Sequence, residues 1–247
     1  MSNSEWFQTA FGEDYTLRYA HRNDVLAEKE VGFLNRILDL ASKDTILDVG
    51  CGSGRHLKIL RRYSSRVFGL DLSAILLNSL KLSWHPEIPQ VVRGDMRYLP
   101  YHARAFDIIV MLFTSFGYFS DEDNEILIAE LARVLTPSGR LVLDLINKPQ
   151  LENTLTAHTI EQTGPWTVES TRILRNKRIE KDIVMKRPGE TRQYQESVRL
   201  YTLDEISAAL EKYGLNVKQV YGDFDCSELS INSPRMLILA EQSISSR

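Results

Sequence analysis

The sequence predicts an α/β protein with a seven-stranded, mostly parallel sheet and a small antiparallel sheet inserted after the fifth strand. Three observations predict it. Short apolar runs alternate with amphipathic segments over residues 45–146, as in a parallel sheet covered by helices on both faces. Residues 106–113, FDIIVMLF, are almost continuously apolar, as in a strand buried on both faces. Residues 150–201 then alternate polar and apolar with period two, which indicates antiparallel strands.

Local signals define the elements of the first half. Strands are predicted at residues 45–50, 66–72, 89–95, 106–113 and 140–146, and helices at residues 23–41, 55–63, 74–82 and 125–135. Ser120 with Asp123 resembles a capping box, with Asp in the usual place of Glu, at the start of the last helix. We expect Pro137 and Gly139 to end that helix.

The second half begins with the insert and returns to the α/β pattern. Insert strands are predicted at residues 166–174, 177–185 and 191–201, with a turn at 175–177. Thr202 and Glu205 form a capping box, and Gly214 can end the helix that follows. The last two strands are predicted at residues 215–222 and 235–241.

Composition limits the class of protein. The 247 residues are 43% apolar and 26% charged, which suits one globular domain over residues 1–247. A net charge of −3 gives no overall basic balance for nucleic acid. Cys51 and Cys226 are too few for a disulfide framework and favour a reducing compartment. The N-terminus lacks the features of a signal peptide, and no apolar run could cross a bilayer. We expect a cytoplasmic protein, and its oligomeric state stays open.

The stretch LDVGCGSGR, residues 47–55, places three glycines at alternate positions after an apolar run. A sharp strand-to-helix turn needs residues that tolerate positive φ, and a missing Cβ lets a ligand lie on the backbone. The free N–H groups at the helix start suit a ligand with an anionic group. The nicotinamide fingerprint G-x-G-x-x-G does not fit, because its third glycine would fall on Arg55 or Leu57.

The spacing D-x-G-x-G-x-G, from Asp48 to Gly54, resembles motif I of the class I S-adenosylmethionine-dependent methyltransferases. Asp71 at the end of the second strand, GDMRYLP at 94–100 and LTPSGRLVL at 135–143 resemble further motifs of that family. Each motif alone is weak, but together, over residues 45–146, they are specific. The resemblance implies a Rossmann-like methyltransferase sheet with strand order 3-2-1-4-5-7-6.

The resemblance also implies the cofactor, S-adenosylmethionine, and a site for it without metal. Asp71 is expected to hold the two ribose hydroxyls, and Asp95 the adenine amine, with Met96 beside the ring. The alternative for either carboxylate is an ordinary loop residue or cap. The candidate cofactor-binding residues are Tyr19, Arg22, Asp48, Gly50, Cys51, Gly52, Gly54, Asp71, Leu72, Gly94, Asp95, Met96, Leu112 and Phe113.

The loop FTSFGYF, residues 113–119, limits the classes of methyl acceptor that need to be considered. It lacks the Asn/Asp-Pro-Pro-aromatic motif of enzymes that methylate exocyclic or amide nitrogens of adenine or glutamine. Neither cysteine follows a proline, as the nucleophile of cytosine-C5 enzymes does. The loop instead resembles that of small-molecule N-methyltransferases, which carry an antiparallel insert over the acceptor pocket. The resemblance implies a small-molecule acceptor, methylated at N or O.

Further site residues follow from the same resemblance. The family often folds its N-terminal segment, here residues 1–22, over the cofactor as a lid, and we expect its removal to leave the fold intact. His21 or Arg22 would then meet the cofactor carboxylate. The catalytic candidates are Tyr15, His21 and Tyr118, and the substrate-binding candidates are Ser115, Tyr118, Asp223 and Arg235.

The basic residues of the insert leave alternatives open. An RNA methyltransferase would use such a patch, but the interspersed acidic residues favour a solvated face. A cofactor-binding regulator without turnover is the other alternative. Lys181 and Glu196 interrupt apolar rows on their strands, so they either pair with each other or point into a pocket.

Overall fold

The computed structural model describes residues 5–19, 23–83 and 90–243. Its helices are α1 (Phe7–Ala10), α2 (Tyr15–Arg18), α3 (Asp24–Leu38), α4 (Arg55–Leu60), α5 (Ala74–Ser83), α6 (Asp121–Val134), α7 (Lys148–Thr154) and α8 (Leu203–Glu211). Its strands are β1 (Ile46–Val49), β2 (Val67–Asp71), β3 (Gln90–Arg93), β4 (Phe106–Met111), β5 (Leu135–Ile146), β6 (His158–Thr163), β7 (Trp166–Arg175), β8 (Arg178–Arg187), β9 (Glu190–Arg199), β10 (Leu215–Tyr221) and β11 (Arg235–Gln242).

The main sheet confirms the predicted fold class. Its seven strands lie in the order β10-β11-β5-β4-β1-β2-β3. Strands β1 to β5 pair in parallel, and β11 pairs antiparallel with both β5 and β10. Counted along the whole chain the order is 3-2-1-4-5-11-10, because the four insert strands take numbers 6 to 9. The predicted order, 3-2-1-4-5-7-6, counted only the strands of the main sheet.

The apolar runs place the sheet between two hydrophobic layers. Alternate residues of β1 and β4 belong to opposite layers, as Leu47 and Ile109 do on one face and Ile46 and Ile108 on the other. All four are fully buried. Because the strands are parallel, their carboxyl ends meet at one edge, where loops from β1, β2 and β4 can form a site.

The insert is a four-stranded antiparallel sheet in the order β6-β7-β8-β9. Three of its strands were predicted, and β6 was missed because its sequence, HTIEQT, is almost wholly exposed and carries no apolar alternation. Asn176 and Lys177 turn β7 into β8 with φ of 50° and 61°. Trp166, Ile183 and Met185 pack together on the inner face of this sheet.

The predicted boundary between α6 and β5 is wrong. Helix α6 ends at Val134 and β5 begins at once at Leu135, so neither Pro137 nor Gly139 ends the helix. Leu135 pairs with Phe106, while Arg140 pairs with Ile108, so residues 136–139 bulge out of the parallel register. Proline and glycine are therefore accommodated by an irregularity in the strand.

The predicted caps are largely present. Thr202 and Glu205 form a full capping box at α8, as predicted. Ser120 accepts the N–H of Asp123 at α6, at 3.1 Å. The Asp123 carboxylate instead pairs with Arg97 at 2.7 Å, so this second capping box is only half formed.

The N-terminal segment contributes to the main core. Trp6, Phe7 and Ala10 are buried in the same hydrophobic cluster as β1, β4 and β5. Loss of these side chains would expose apolar surface, so we now expect removal of residues 1–22 to destabilise the fold. Within the described residues, no helix combines the length and apolar character needed to span a membrane.

Candidate active site

The glycine loop between β1 and α4 uses its three glycines in different ways. Gly50, Gly52 and Gly54 all have positive φ, at 82°, 54° and 81°. A Cβ on Gly50 would lie 2.7 Å from Ser115 Oγ, and one on Gly54 would lie 2.5 Å from Leu80 Cδ1. At Gly52 the nearest atom would be 3.7 Å away. Protein side chains therefore pack closely against Gly50 and Gly54, whereas a Cβ at Gly52 would only reach ordinary contact distance from Leu76, which leaves space above the loop at this position.

That open space belongs to a cavity at the carboxyl ends of the strands, called the first cavity here. Among the residues predicted as site residues, its wall includes Tyr15, Gly50, Cys51, Gly52, Asp71, Leu72, Asp95, Met96, Leu112, Phe113, Ser115 and Tyr118. These residues come from the N-terminal segment and from the loops that follow β1, β2, β3 and β4. The topology thus brings most of the predicted cofactor residues to one place.

Asp71 supports the glycine loop from the end of β2. Its Oδ2 accepts the N–H of Gly52 at 2.8 Å, and its Oδ1 accepts the N–H of Ser73 at 2.8 Å. Burial raises the pKa of Asp71, and the backbone N–H groups partly oppose this rise. Each carboxylate oxygen keeps a further lone pair, so Asp71 can still accept from a ligand hydroxyl.

Asp95 is held by a neighbouring arginine. Arg97 donates from Nη2 to Asp95 Oδ2 at 2.7 Å and from Nε to both oxygens at 3.1 Å. Although burial acts to raise it, the pKa of Asp95 is lowered overall by these hydrogen bonds. The Arg97 guanidinium also lies over the Phe119 ring at 4.6 Å. Asp95 is therefore a fixed carboxylate at the wall of the cavity.

Below the glycine loop lies a buried group of titratable side chains. His56 Nε2 is 2.5 Å from Glu30 Oε2, and His56 Nδ1 is 3.9 Å from Asp48 Oδ2. That Asp48 oxygen is buried with no hydrogen-bond partner among the described residues. Burial raises the pKa of Asp48 to about 6, while His56 opposes the rise. His56 itself lines the first cavity.

A second cavity adjoins the first, between the N-terminal segment and the inner face of the insert. Its wall consists of Trp6, Phe11, Tyr15, Tyr19, Phe113, Thr114, Tyr118, Ile146, Leu151, Arg172, Ile179, Lys181, Glu196, Val198 and Arg235. Most of these side chains are apolar or aromatic. Such a wall suits a small organic ligand, and the few polar groups would orient it.

The two cavities share an aromatic wall formed by Phe11, Tyr15, Phe113 and Tyr118. The Tyr118 ring stacks on Phe11 with centroids 5.6 Å apart and meets Trp6 edge-on at 4.9 Å. Burial raises the pKa of Tyr118 well above its usual value. Its hydroxyl therefore stays protonated near neutral pH and can donate a hydrogen bond.

Charged side chains gather on the insert side of the second cavity. Glu196 accepts from Arg18 Nη1 at 2.9 Å and from the Tyr19 hydroxyl at 2.6 Å. Lys181 Nζ lies 3.9 Å from Glu196 and donates to the Tyr19 hydroxyl at 3.3 Å. Burial raises the pKa of Tyr19 and lowers that of Lys181. Lys181 and Glu196 therefore both approach each other and face the cavity.

Comparison with known proteins identifies the enzyme class. Residues 46–139 match a protein family described as "Methyltransferase domain". The chain carries a methyltransferase domain. The matched range runs from β1 into the bulge of β5 and includes the loops of the first cavity. The predicted class, an S-adenosylmethionine-dependent methyltransferase, is confirmed.

Two curated relatives align with most of this methyltransferase. It is 24% identical over 204 residues to cypemycin N-terminal methyltransferase from Streptomyces sp, covering 80% of this chain and 83% of the relative. It is 29% identical over 191 residues to dTDP-4-amino-2,3,4,6-tetradeoxy-D-glucose N,N-dimethyltransferase from Saccharopolyspora spinosa, covering 74% and 76%. Both relatives are named for methyl transfer, the second to an amino sugar nucleotide.

A solved structure has the same fold. An S-adenosylmethionine-dependent methyltransferase from Clostridium acetobutylicum aligns with a TM-score of 0.80 and 16% identity, over 93% of this chain and 96% of that one. The coverage includes most of the chain beyond the matched domain. The comparisons support neither the RNA methyltransferase nor the non-catalytic alternative.

Some predicted site residues of the methyltransferase lie outside the first cavity. Tyr19 and Arg235 line the second cavity instead. Gly54 caps α4 beneath Leu80, Gly94 packs on Leu70, and Asp48 lies below the loop, so none of the three lines either cavity. His21 and Arg22 fall outside the described residues.

Asp223, one of the substrate-binding candidates, forms local contacts within its own loop. It lines neither cavity. Its carboxylate accepts the N–H groups of Asp225 at 2.8 Å and Ser227 at 3.1 Å. A short acidic side chain that bonds to the backbone just ahead of it stabilises a turn. Asp223 therefore shapes the β10–β11 loop of the methyltransferase.

Sequence reasoning missed several wall residues of the first cavity: Phe7, Phe11, Ser53, Arg55, His56, Leu76 and Phe119. Phe7 and Phe11 are four residues apart, a spacing that places side chains on one helical face, so this pair carried a readable signal. His56 follows the glycine loop by two residues and looked like part of an ordinary helix. Its contact with Glu30 joins distant parts of the chain and left no local pattern.

Proposed function

We propose that this chain transfers a methyl group from S-adenosylmethionine in the first cavity to a small molecule in the second cavity, at nitrogen or oxygen. The observation that carries the proposal is the wall shared by the two cavities, formed by Phe11, Tyr15, Phe113 and Tyr118. Methyl transfer from a sulfonium requires donor and acceptor in line at short distance. Two ligand cavities that share one wall would place donor and acceptor next to each other there, which supports the proposal.

The residues of the first cavity fit the cofactor. Gly52 leaves room above the loop, Asp71 retains acceptor capacity for the ribose hydroxyls, and Asp95 is a fixed acceptor for the adenine amine. Met96 and Leu72 provide apolar contact for the ring. When bound, S-adenosylmethionine supplies an electrophilic methyl group. These residues bind and orient it, and Ser115 lies beside the glycine loop against Gly50.

Residues between the cavities are proposed to align the acceptor. Tyr118 and Tyr15 line both cavities. Because the Tyr118 hydroxyl stays protonated, we assign it to orientation of the acceptor by donating a hydrogen bond, rather than to proton abstraction. His21, another of the catalytic candidates, is proposed as the general base for an acceptor that must lose a proton. Within the second cavity, Arg235 is held by Asp144 at 2.6 Å and forms part of the substrate wall.

The two segments outside the main sheet are proposed to enclose the site. The N-terminal segment contributes Phe11, Tyr15 and Tyr19 to the cavities, and the insert contributes one side of the second cavity. Enclosure excludes water and strengthens the interactions that orient the ligands. We assign residues 1–22 the role of a lid and residues 150–201 the role of an acceptor cover.

Nitrogen is favoured over oxygen as the methylated atom. The two curated relatives are named for N-terminal and amino-sugar N-methylation. An amine needs only to be unprotonated and aligned, so it makes the smallest demand for a base. We also place this activity in the cytoplasm, since both cysteines are free thiols.

Calorimetry with S-adenosylmethionine, S-adenosylhomocysteine and NAD tests the cofactor, and a panel of amines, amino sugars and their hydroxyl counterparts tests the acceptor. We expect both adenosyl ligands to bind, NAD to fail, and at least one amine to release S-adenosylhomocysteine. Tyr118→Phe should lower that turnover without changing affinity for S-adenosylhomocysteine. Binding of NAD, or cofactor binding with no turnover on any acceptor, would contradict the proposal.

A further inference from the structure

Three charged side chains form a row across the inner face of the insert. Arg172 of β7 pairs in register with Lys181 of β8, and Lys181 pairs with Glu196 of β9. All three line the second cavity. Residues opposite one another on adjacent strands lie close on the same face of the sheet. The row therefore presents two positive charges and one negative charge to the same space.

The negative charge in this row is already satisfied. Glu196 accepts a charged hydrogen bond from Arg18 at 2.9 Å and another from the Tyr19 hydroxyl at 2.6 Å. The Arg18 side chain is only 2% exposed, so this pair is shielded from water. Lys181 remains 3.9 Å from the carboxylate, beyond hydrogen-bond distance. One carboxylate thus faces both Arg18 and Lys181, with Arg18 the closer.

The positive charge of Arg172 is balanced even less than that of Lys181. Its Nη1 donates to Thr159 Oγ1 at 3.2 Å and to the Thr156 carbonyl at 3.4 Å, both neutral acceptors. Within the described ranges, it forms no ion pair with a carboxylate. The other arginine of the wall, Arg235, is bonded to Asp144 at 2.6 Å. Arg172 and Lys181 are therefore the cations of the second-cavity wall that, within the described residues, have no carboxylate at hydrogen-bond distance.

We propose that the acceptor carries an anionic group, a carboxylate or a phosphate, which binds between Arg172 and Lys181. This proposal rests on the proposed function, in which the second cavity receives the acceptor. Partly buried cations in an apolar cavity form strong charge-assisted hydrogen bonds with oxyanions. Ile179 and Val198 occupy the same wall and would contact the apolar body of the acceptor. The group to be methylated would then point toward the shared aromatic wall.

The proposal is tested by calorimetry on the protein saturated with S-adenosylhomocysteine. The measurement gives the affinities for benzoate, phenyl phosphate and neutral benzamide. We expect at least one anion to bind about tenfold or more tightly than benzamide, as a charge-assisted hydrogen bond implies. Comparison of benzoate with phenyl phosphate then distinguishes carboxylate from phosphate. Lys181→Met and Arg172→Met should each reduce the preference for the anion to about twofold or less, and Lys181→Arg should retain most of it.

Lys186→Met is the matched control. Lys186 lies on β8 as Lys181 does, but it is exposed and pairs with Glu169 at 3.3 Å. It should keep the full preference for the anion. Equal binding of benzamide and both anions by the wild-type protein, no binding of either anion, or an equal loss in Lys186→Met would overturn the proposal. Binding of S-adenosylhomocysteine and turnover on neutral amines are measured separately, so the proposed function can stand if this inference fails.

Discussion

Arg192 on the insert donates two hydrogen bonds, at 2.6 and 2.8 Å, to the carboxylate of Asp14 in the N-terminal segment. Asp14 is only 3% exposed, and Tyr194 also donates to it. Burial acts to raise the pKa of Asp14, but these donors outweigh it and hold the pKa below its usual value. With the Arg18–Glu196 pair, this contact joins the N-terminal segment to the insert as one unit beside the second cavity.

Arg192→Met should destabilise the protein by more than an exposed ion pair contributes, because it leaves a buried carboxylate without its cation. Urea unfolding at pH 7 measures this loss. Arg187→Met is the control, since Arg187 also lies over the Trp166 ring but pairs with Glu190, whose side chain is 32% exposed. An exposed pair contributes about 0–1 kcal/mol. Similar losses of stability in both variants would show that the Arg192–Asp14 pair contributes no more than an exposed ion pair.

Asp71→Asn should weaken binding of S-adenosylhomocysteine by about ten- to a hundredfold, or roughly 1–3 kcal/mol. An amide NH2 cannot accept the N–H of Gly52 or Ser73, and it has no negative charge for the ribose hydroxyls. Calorimetry measures the affinity. Asp107→Asn is the control, because Asp107 also accepts a backbone N–H, from Thr45 at 2.9 Å, but lies at the other end of the sheet. Unchanged affinity in Asp71→Asn would remove Asp71 from the ribose site.

Asp48 should make the ligand-free protein less stable as pH rises. Its pKa is about 6 in the folded state and about 3.9 in an unfolded chain. Between these values the folded state holds a proton that the unfolded state has lost, so stability falls as pH increases through this window. Asp48→Asn carries no such charge. Its free energy of unfolding should match that of the wild type near pH 4 and exceed it by up to ~3 kcal/mol above pH 7.

Thermal unfolding of both proteins from pH 4 to pH 8 checks this prediction. Asp182→Asn serves as the control, since Asp182 is exposed on the insert and bonds to Gln195 at 2.8 Å. It removes a carboxylate in the same way, but from a solvent-exposed position. A stability difference for Asp48→Asn that does not grow with pH would mean that Asp48 is solvated or paired in the folded protein.

The sequence predicted the parts of the fold that depend on local pattern. The apolar run of β4 and the glycine loop each carry their signal within about ten residues, so the sheet and the first cavity could be placed. Strand β6 could not be predicted, because its own sequence has no apolar alternation. It is a strand through its antiparallel pairing with β7. The bulge at 136–139 likewise depends on the register of β5 against β4.

The second cavity was less predictable for a related reason. Lys181 and Glu196 were recognised only as interruptions of apolar rows, and their roles depend on Arg18 and Tyr19, more than 160 residues away in sequence. The contacts of Asp223 could not be predicted, because a loop after a strand looks the same whether its carboxylate faces a ligand or its own backbone. Contacts of long sequence separation decide the first case, whereas local hydrogen bonds with Asp225 and Ser227 decide the second.

Gly117 illustrates such a contact and yields a further prediction. Its φ is 97°, and an added Cβ would lie 2.9 Å from the carbonyl oxygen of Arg199 on β9. Gly117→Ala should destabilise the protein by about 2–4 kcal/mol, the sum of unfavourable backbone conformation and overpacking. Gly189→Ala is the matched control, because Gly189 also has positive φ, 77°, but an added Cβ would meet nothing within 4 Å.

The control should lose only about 1–2 kcal/mol, from the backbone conformation alone. Urea unfolding of the two variants isolates the steric contact between the loop and the insert. Because Ser115 and Tyr118 flank Gly117 and line the first cavity, Gly117→Ala should also weaken binding of S-adenosylhomocysteine, while Gly189→Ala should not. Equal destabilisation by the two substitutions, with equal cofactor affinity, would mean that the loop can move away from β9 without disturbing the site.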